Sequence, residues 1–192
     1  MRNLLYLFLF LMVWSNTVPA VMLGFQVPQF TLVDSYGEII NLSDFRGKYV
    51  VLEWFDPDCV RVQRHYEQDT MRQLALNYMG MDVVWLAINS TYYMDQEDNI
   101  RWQDIYYLPY RLLGDFSGDV AKRYDVETIP QMYLIDPYGT LIYKGAFESE
   151  YGGYNSKPFN YVQAALEESL AGLPVSIPET IPSGCYVKYP YY

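Results

Sequence analysis

Apolar positions along the chain fall into two kinds of pattern. Continuous β-rich runs occur at Tyr49 to Phe55 (YVVLEWF), Asp82 to Asn89 (DVVWLAIN) and Gln131 to Ile135 (QMYLI), and they predict three buried strands. Asp136-Pro-Tyr-Gly139 is turn chemistry, so Thr140 to Lys144 is expected to return as a fourth strand. Phe30 to Val33 and Glu38 to Asn41 alternate around Asp34-Ser-Tyr-Gly37, which predicts a hairpin near the N-terminus. Helical spacing appears elsewhere. Val62, Tyr66, Met71, Leu74 and Tyr78 predict one long helix from Cys59 to about Tyr78, ended by Gly80. Asp95 to Tyr107, Gly118 to Tyr124 and Asn160 to Ala171 predict three more. Leu42 to Phe45 reads as a capped single turn, and Arg111 to Leu113 as a short strand. Beyond Gly172 the periodicity stops. Pro174, Pro178, Pro182 and Pro190 punctuate a segment that cannot be helical and that is rich in tyrosine, whose rings suit docking an extended tail on the surface.

A further apolar run, Leu4 to Trp14, follows Met1-Arg2-Asn3 and precedes Val18-Pro19-Ala20. A short positive start, an apolar stretch of 11 residues and small residues before a cut are the marks of a secretory signal peptide. A membrane span needs about 20 residues, so the expectation is cleavage after Ala20 and a secreted or periplasmic protein, with membrane contact only if the segment stays uncleaved. The expected organisation is therefore a signal peptide over 1–20, one domain over 21–172, and a tail over 173–192 carrying Cys185. The order hairpin, β-α-β, helical insertion, β-β-α is that of an α/β domain with a central mixed sheet flanked by helices.

Composition narrows the chemistry. The chain has 192 residues, 13 basic and 23 acidic, for a net charge of -10, and no basic run; a nucleic-acid binder that tracks phosphates is not expected. Cleavage after Ala20 would remove Arg2 and no acid, giving 12 - 23 = -11. Two cysteines, Cys59 and Cys185, and one histidine, His65, are too few for a four-cysteine, two-cysteine two-histidine or three-histidine zinc site. No metal or other cofactor is expected. His65, six residues past Cys59 on a helix, lies off the cysteine's face and reads as packing or surface.

The segment EWFDPDCVRV, Glu53 to Val62, puts a cysteine where a buried strand ends in a proline-containing turn and a helix begins. Free amides at a helix N-terminus stabilise a thiolate, and Arg61 adds positive charge, while Asp56 and Asp58 oppose it. The plain alternative is a structural buried cysteine.

These pieces resemble the thioredoxin-fold redoxins, in particular the peroxiredoxin-like branch of the alkyl hydroperoxide reductase/thiol-specific antioxidant superfamily. FTLVDSYGEIINLSDFRGKYVVLEWF is similar to the family's opening, and DPDCVRVQRHY to its Asn-Pro-x-Cys-Pro-Phe-Val turn followed by a His-Tyr pair. WLAINS, VETIPQMYLIDPYGTLIYKGAF and GCYVKY also match. The resemblance implies a thioredoxin-like fold with an N-terminal hairpin extension and an extended C-terminal tail. It implies that Cys59 is the attacking nucleophile, that Thr128-Ile129-Pro130 is the cis-proline loop whose backbone pairs with the substrate chain, and that Glu53 is a buried acid aiding proton transfer. For Glu53 a strand-end carboxylate paired with a lysine or arginine is the equal alternative. Arg61 is a candidate for thiolate stabilisation.

Two departures matter. Val62 stands where CxxC has its second cysteine. Counting back from Cys59, Leu52 and Asp56 stand where peroxiredoxins have their proline and their peroxide-holding Thr or Ser. Gly184-Cys185-Tyr-Val-Lys188-Tyr resembles a C-terminal motif of this branch, which makes Cys185 the candidate resolving thiol. About 13 residues separate it from the last helix, a reach of up to about 43 Å. A Cys59–Cys185 bridge, an isolated docked Cys185 and a bridge between chains remain three alternatives. The expected function is thiol-disulfide exchange on protein or small-molecule thiols and disulfides; the alternatives are a thiol-dependent peroxidase acting on hydroperoxide, and a non-catalytic binding module on a redoxin scaffold.

Overall fold

The computed structural model describes residues 21–150 and 157–190, so the segment read as a signal peptide lies outside the described residues. The expected strands form, with small shifts at their ends. They are β1 (Thr31–Asp34), β2 (Ile39–Asn41), β3 (Tyr49–Phe55), β4 (Val83–Asn89), β5 (Arg111–Gly114), β7 (Gln131–Ile135) and β8 (Leu141–Gly145). Together they make one mixed sheet in the order β2-β1-β5-β4-β3-β7-β8. The pair β3–β4 and the pair β4–β5 are parallel; β3–β7, β7–β8, β1–β2 and β1–β5 are antiparallel. These apolar-rich runs become the centre of this sheet because a strand covered on both faces needs mostly apolar side chains in both directions. The N-terminal hairpin is the sheet's own edge rather than an appendage, since β1 pairs with β5.

Alternation along β3 sorts the core. Glu53 and Phe55 point to the face on which Tyr66 and Trp102 pack, whereas Trp54 points to the other face, against Tyr124 and Tyr133. The helices are α1 (Val60–Glu67), α2 (Thr70–Tyr78), α3 (Gln96–Tyr106), α4 (Asp119–Arg123) and α5 (Tyr161–Leu170); Leu42–Phe45 is a 3-10 turn. Tyr78 Oη donates to Glu167 and Tyr49 Oη to the Ser169 carbonyl, which ties α2 and the start of β3 to α5. No helix among the described residues is long and apolar enough to cross a membrane.

The single long helix expected from Cys59 to Tyr78 is two helices. The apolar spacing runs through the break, but the backbone does not: Asp69 takes φ 58°, in the left-handed region. Aspartate is among the few non-glycine residues that visit this region readily. Its carboxylate then accepts from Arg72 Nη1 at 2.9 Å and Gln73 Nε2 at 2.8 Å, on the first turn of α2.

The described part of the tail is docked at several points. Lys144 N donates to the Pro178 carbonyl and Thr180 N to the Lys144 carbonyl, so residues 178–180 extend the free edge of β8. Thr180 Oγ1 accepts from Ala146 N at 2.8 Å and lies 2.7 Å from Tyr143 Oη. The chain then forms β9 (Cys185–Tyr186), antiparallel to β6 (Thr128–Ile129). Tyr189 Oη donates to the Val126 carbonyl at 2.6 Å, a ring anchoring the tail as its composition suggested.

Candidate functional site

β3 ends at Phe55, and Asp56-Pro57-Asp58 turns the chain into α1. The turn is shaped by Asp56: its carbonyl accepts from Cys59 N at 3.0 Å, and its Oδ1 accepts from Asp58 N at 2.9 Å. Cys59 is the N-cap of α1 and is 1% exposed. Its sulfur therefore sits at the positive end of the helix, as expected, but beneath the tail rather than in open solvent.

What covers it is Cys185. The two sulfurs are bonded, with Cα atoms 5.9 Å apart and 126 residues between them in sequence. Of the three alternatives left open by the sequence, the bridge within the chain is the one the structure contains. Cys185 is the more exposed partner of the pair.

The cis-proline loop faces this bond. The Ile129–Pro130 peptide is cis, and the Ile129 carbonyl oxygen lies 3.6 Å from Cys59 Sγ. Ile129 pairs with Cys185, and Thr128 with Tyr186, in the β6–β9 ladder. The backbone edge on which the family resemblance places a substrate chain is thus occupied by the protein's own tail. Gly184 fits there because it has no Cβ, which would collide with the Ile129 carbonyl oxygen.

Glu53 is completely buried on the α1 side of the sheet. Tyr66 Oη donates to Oε1 at 2.7 Å and Trp85 Nε1 to Oε2 at 2.8 Å; Tyr110 Oη donates in turn to Tyr66 Oη at 3.3 Å. These donors are neutral, so the lysine or arginine partner considered for Glu53 is not what the fold supplies. Burial pushes its pKa up to about 7, and the hydrogen bonds from Tyr66 and Trp85 only partly offset it. Such a group exchanges protons near neutrality.

Arg61 lies on the exposed side of α1, 3.9 Å from Glu150. It lines a cleft of about 390 Å³ together with Arg64, His65, Pro130, Phe147 and Ile181. His65 is packing, as expected. Its ring meets Phe147 edge-on, and Nδ1 lies 3.2 Å from Thr70 Oγ1. Burial, with the charges of Arg64 and Arg61, lowers its pKa to about 4, so it is neutral at ordinary pH.

The sequence reading missed one cluster. Lys188 Nζ lies 2.9 Å from Asp56 Oδ2 and 3.7 Å from Asp58 Oδ2, and donates to Tyr93 Oη at 2.6 Å; Tyr93 Oη donates to Asp58 Oδ2 at 2.7 Å. Partial burial works against the Lys188 charge, but hydrogen bonds to Tyr93 and Asp56 outweigh it and raise its pKa. The available signal was a lysine three residues after Cys185 and two acids beside Cys59; the fold alone brings them together.

Comparison with known proteins agrees with this architecture. The model of the AhpC/TSA family matches residues 23–144. The thiol-disulfide oxidoreductase ResA of Bacillus thuringiensis subsp. konkukian is 29% identical over 123 residues, 62% of this chain and 67% of its own. Peroxiredoxin Bcp of Bacillus subtilis is 26% identical over 132 residues, 62% of this chain and 82% of its own. Among solved structures, an uncharacterized conserved protein from Geobacillus kaustophilus superposes with a TM-score of 0.80 at 27% identity, over 93% of this chain and 96% of that one. A hypothetical protein from Sinorhizobium meliloti 1021 gives 0.81 at 24% identity, over 91% and 98%, and supports the fold. A thioredoxin-like sheet, a cysteine at the start of α1, a cis-proline facing it and a family model spanning most of the domain lead to one assignment: the chain belongs to the AhpC/TSA family, as a redoxin.

Proposed function

We propose that the protein is a thiol-disulfide oxidoreductase whose redox couple is Cys59 and Cys185, and that it works after export. One observation carries the reading: Cys59, capping α1 opposite cis-Pro130, is already bonded to a cysteine held on the substrate-pairing edge. In the reduced protein the Cys59 thiolate attacks a substrate disulfide and expels one thiolate, forming a mixed disulfide. Cys185 then attacks Cys59 Sγ, releases the second thiol and restores the bridge. Glu53, able to hold a proton near neutral pH, is the candidate to move protons as the thiols ionise. The partners are thiols and disulfides, protein or small-molecule. Arg61 is assigned at most a supporting charge, since its near partner is Glu150.

The test is to mix fully reduced protein with oxidised glutathione and separate the products by mass. Wild type is expected to give the internal bridge and two reduced glutathiones. Cys185→Ser is expected to stop at a Cys59–glutathione adduct, and Cys59→Ser to react no faster than a free surface thiol. A wild type no faster than free cysteine would overturn the reading. Export is tested by the N-terminus of the protein from the producing cell, expected at Val21; an intact Met1 would refute cleavage.

Thiol-dependent peroxide reduction is the second reading, favoured by the likeness to Peroxiredoxin Bcp. Against it stands Asp56, which occupies the hydroxyl position and is committed to the turn and to Lys188. Stopped-flow oxidation of reduced Cys59 by peroxide decides: a rate above that of free cysteine supports this reading.

A further inference from the structure

Asp56 has two tasks in one carboxylate. Oδ1 caps the turn that presents Cys59, while Oδ2 is buried and has no hydrogen bond from any other described residue; its cation is Lys188, 2.9 Å away. A buried carboxylate oxygen stripped of its cation is strongly unfavourable, so departure of the tail leaves a penalty in the turn itself. Lys188 is held from other directions too. Its carbonyl accepts from Tyr92 N at 3.1 Å, and Tyr93 Oη links its ammonium to Asp58. The preceding residue, Val187, donates its amide to the Glu127 carbonyl at 3.0 Å. Cys185 therefore stands between two fixed points, Gly184 against the Ile129 carbonyl on one side and Lys188 in its acidic cradle on the other.

We infer that Lys188 is a positioning residue for disulfide exchange: its ion pair with Asp56 holds the tail so that Cys185, rather than an external thiol, becomes the partner of Cys59. The inference rests on the thiol-disulfide reading above. The step it governs is resolution. In a Cys59–glutathione disulfide, the Cys185 thiolate attacks Cys59 Sγ; the Cys59–Cys185 bond forms, the bond to glutathione breaks, and the glutathione thiolate leaves and takes a proton from solvent. Two electrons stay within the exchanging sulfurs, and oxidised glutathione is the only oxidant required. Lys188 touches none of these atoms. It raises the local concentration of Cys185 at Cys59.

The experiment equilibrates the full chain with reduced and oxidised glutathione, quenches with acid, and counts reduced, glutathionylated and bridged forms by mass. Lys188→Met is expected to lower the equilibrium constant for the bridge about tenfold, a rise in reduction potential of about 30 mV, with a matching rise in glutathionylated protein. Lys188→Arg is expected to return to within about threefold of wild type, which loss of packing alone would not produce. Tyr93→Phe, at a half-exposed site, removes one link of the cradle and is expected to shift the balance about threefold; it keeps the test open if Lys188→Met does not fold. If wild type fails to equilibrate with glutathione, the thiol reading falls. If wild type equilibrates while Lys188→Met stays within about twofold of it, or Lys188→Arg is as impaired as Lys188→Met, this inference alone falls.

Discussion

At the scale of single residues, Glu53 and His65 lie on the same side of the sheet but titrate against each other. The folded Glu53 holds a proton up to about pH 7 that the unfolded chain has released above its ordinary 4.5. The unfolded state therefore binds fewer protons across that window, so this contribution to stability is present in full below about pH 4.5 and falls as pH rises, with about 3 kcal/mol lost by pH 7. His65 runs the other way. Its folded pKa of about 4 lies below the ordinary 6.5, so the unfolded chain takes up a proton first as pH drops, and stability falls with falling pH. The two trends oppose each other between about pH 4.5 and 6.5. Glu53→Gln should separate them. Relative to wild type, the variant is expected to gain about 2 kcal/mol in urea unfolding on going from about pH 5 to about pH 7.5. An identical difference at both values would show that Glu53 titrates normally. The position of Glu53 was legible from its spacing to Cys59. Its partners were not, because Tyr66 and Trp85 come from α1 and β4 and Tyr110 from the residue just before β5, and only the fold turns their polar atoms inward.

At the scale of elements, the strands that bury both faces could be read directly, since an apolar run of five to seven residues has few other uses. The break between α1 and α2 could not, because Asp69 interrupts the backbone without interrupting the apolar spacing. β6 and β9 were equally silent: two residues carry no period, and their pairing spans more than 50 positions. A ladder this short owes its order to its ends. Reduction of the bridge is therefore expected to speed amide hydrogen exchange at Tyr92 and Val187, which donate to or from the tail, while β4 keeps its protection. Gly184→Ala should produce the same pattern in the oxidised protein, as the added methyl pushes β9 off Ile129. Equal protection of Tyr92 and Val187 in both redox states would mean that the tail stays docked without the bond.

At the scale of the whole molecule, the domain was the most legible feature, because the order of strands and helices constrains the topology strongly. The tail was legible only as extended chain; that it lies along β8, crosses to β6 and covers Cys59 depends on edges that no local pattern announces. Bonding residues 126 apart restrains about two thirds of the 192-residue unfolded chain. In the chain-entropy account this is worth up to about 5 kcal/mol, so the oxidised protein should unfold at clearly higher denaturant than the reduced one. Coincident unfolding curves would argue that tail and domain are energetically independent.

The bridge also makes a covalent ring. Every peptide bond between Cys59 and Cys185 lies inside it, including all the loops from α1 to the end of the domain, whereas the N-terminal hairpin and β3 hang outside. A protease that cuts once within the ring leaves one molecule of unchanged mass apart from a water; a cut in the hairpin sheds a fragment at once. Electrophoresis of nicked protein, with and without reductant, would thus report which side of the ring was cut and, for a cut inside it, whether the two cysteines were joined at the time.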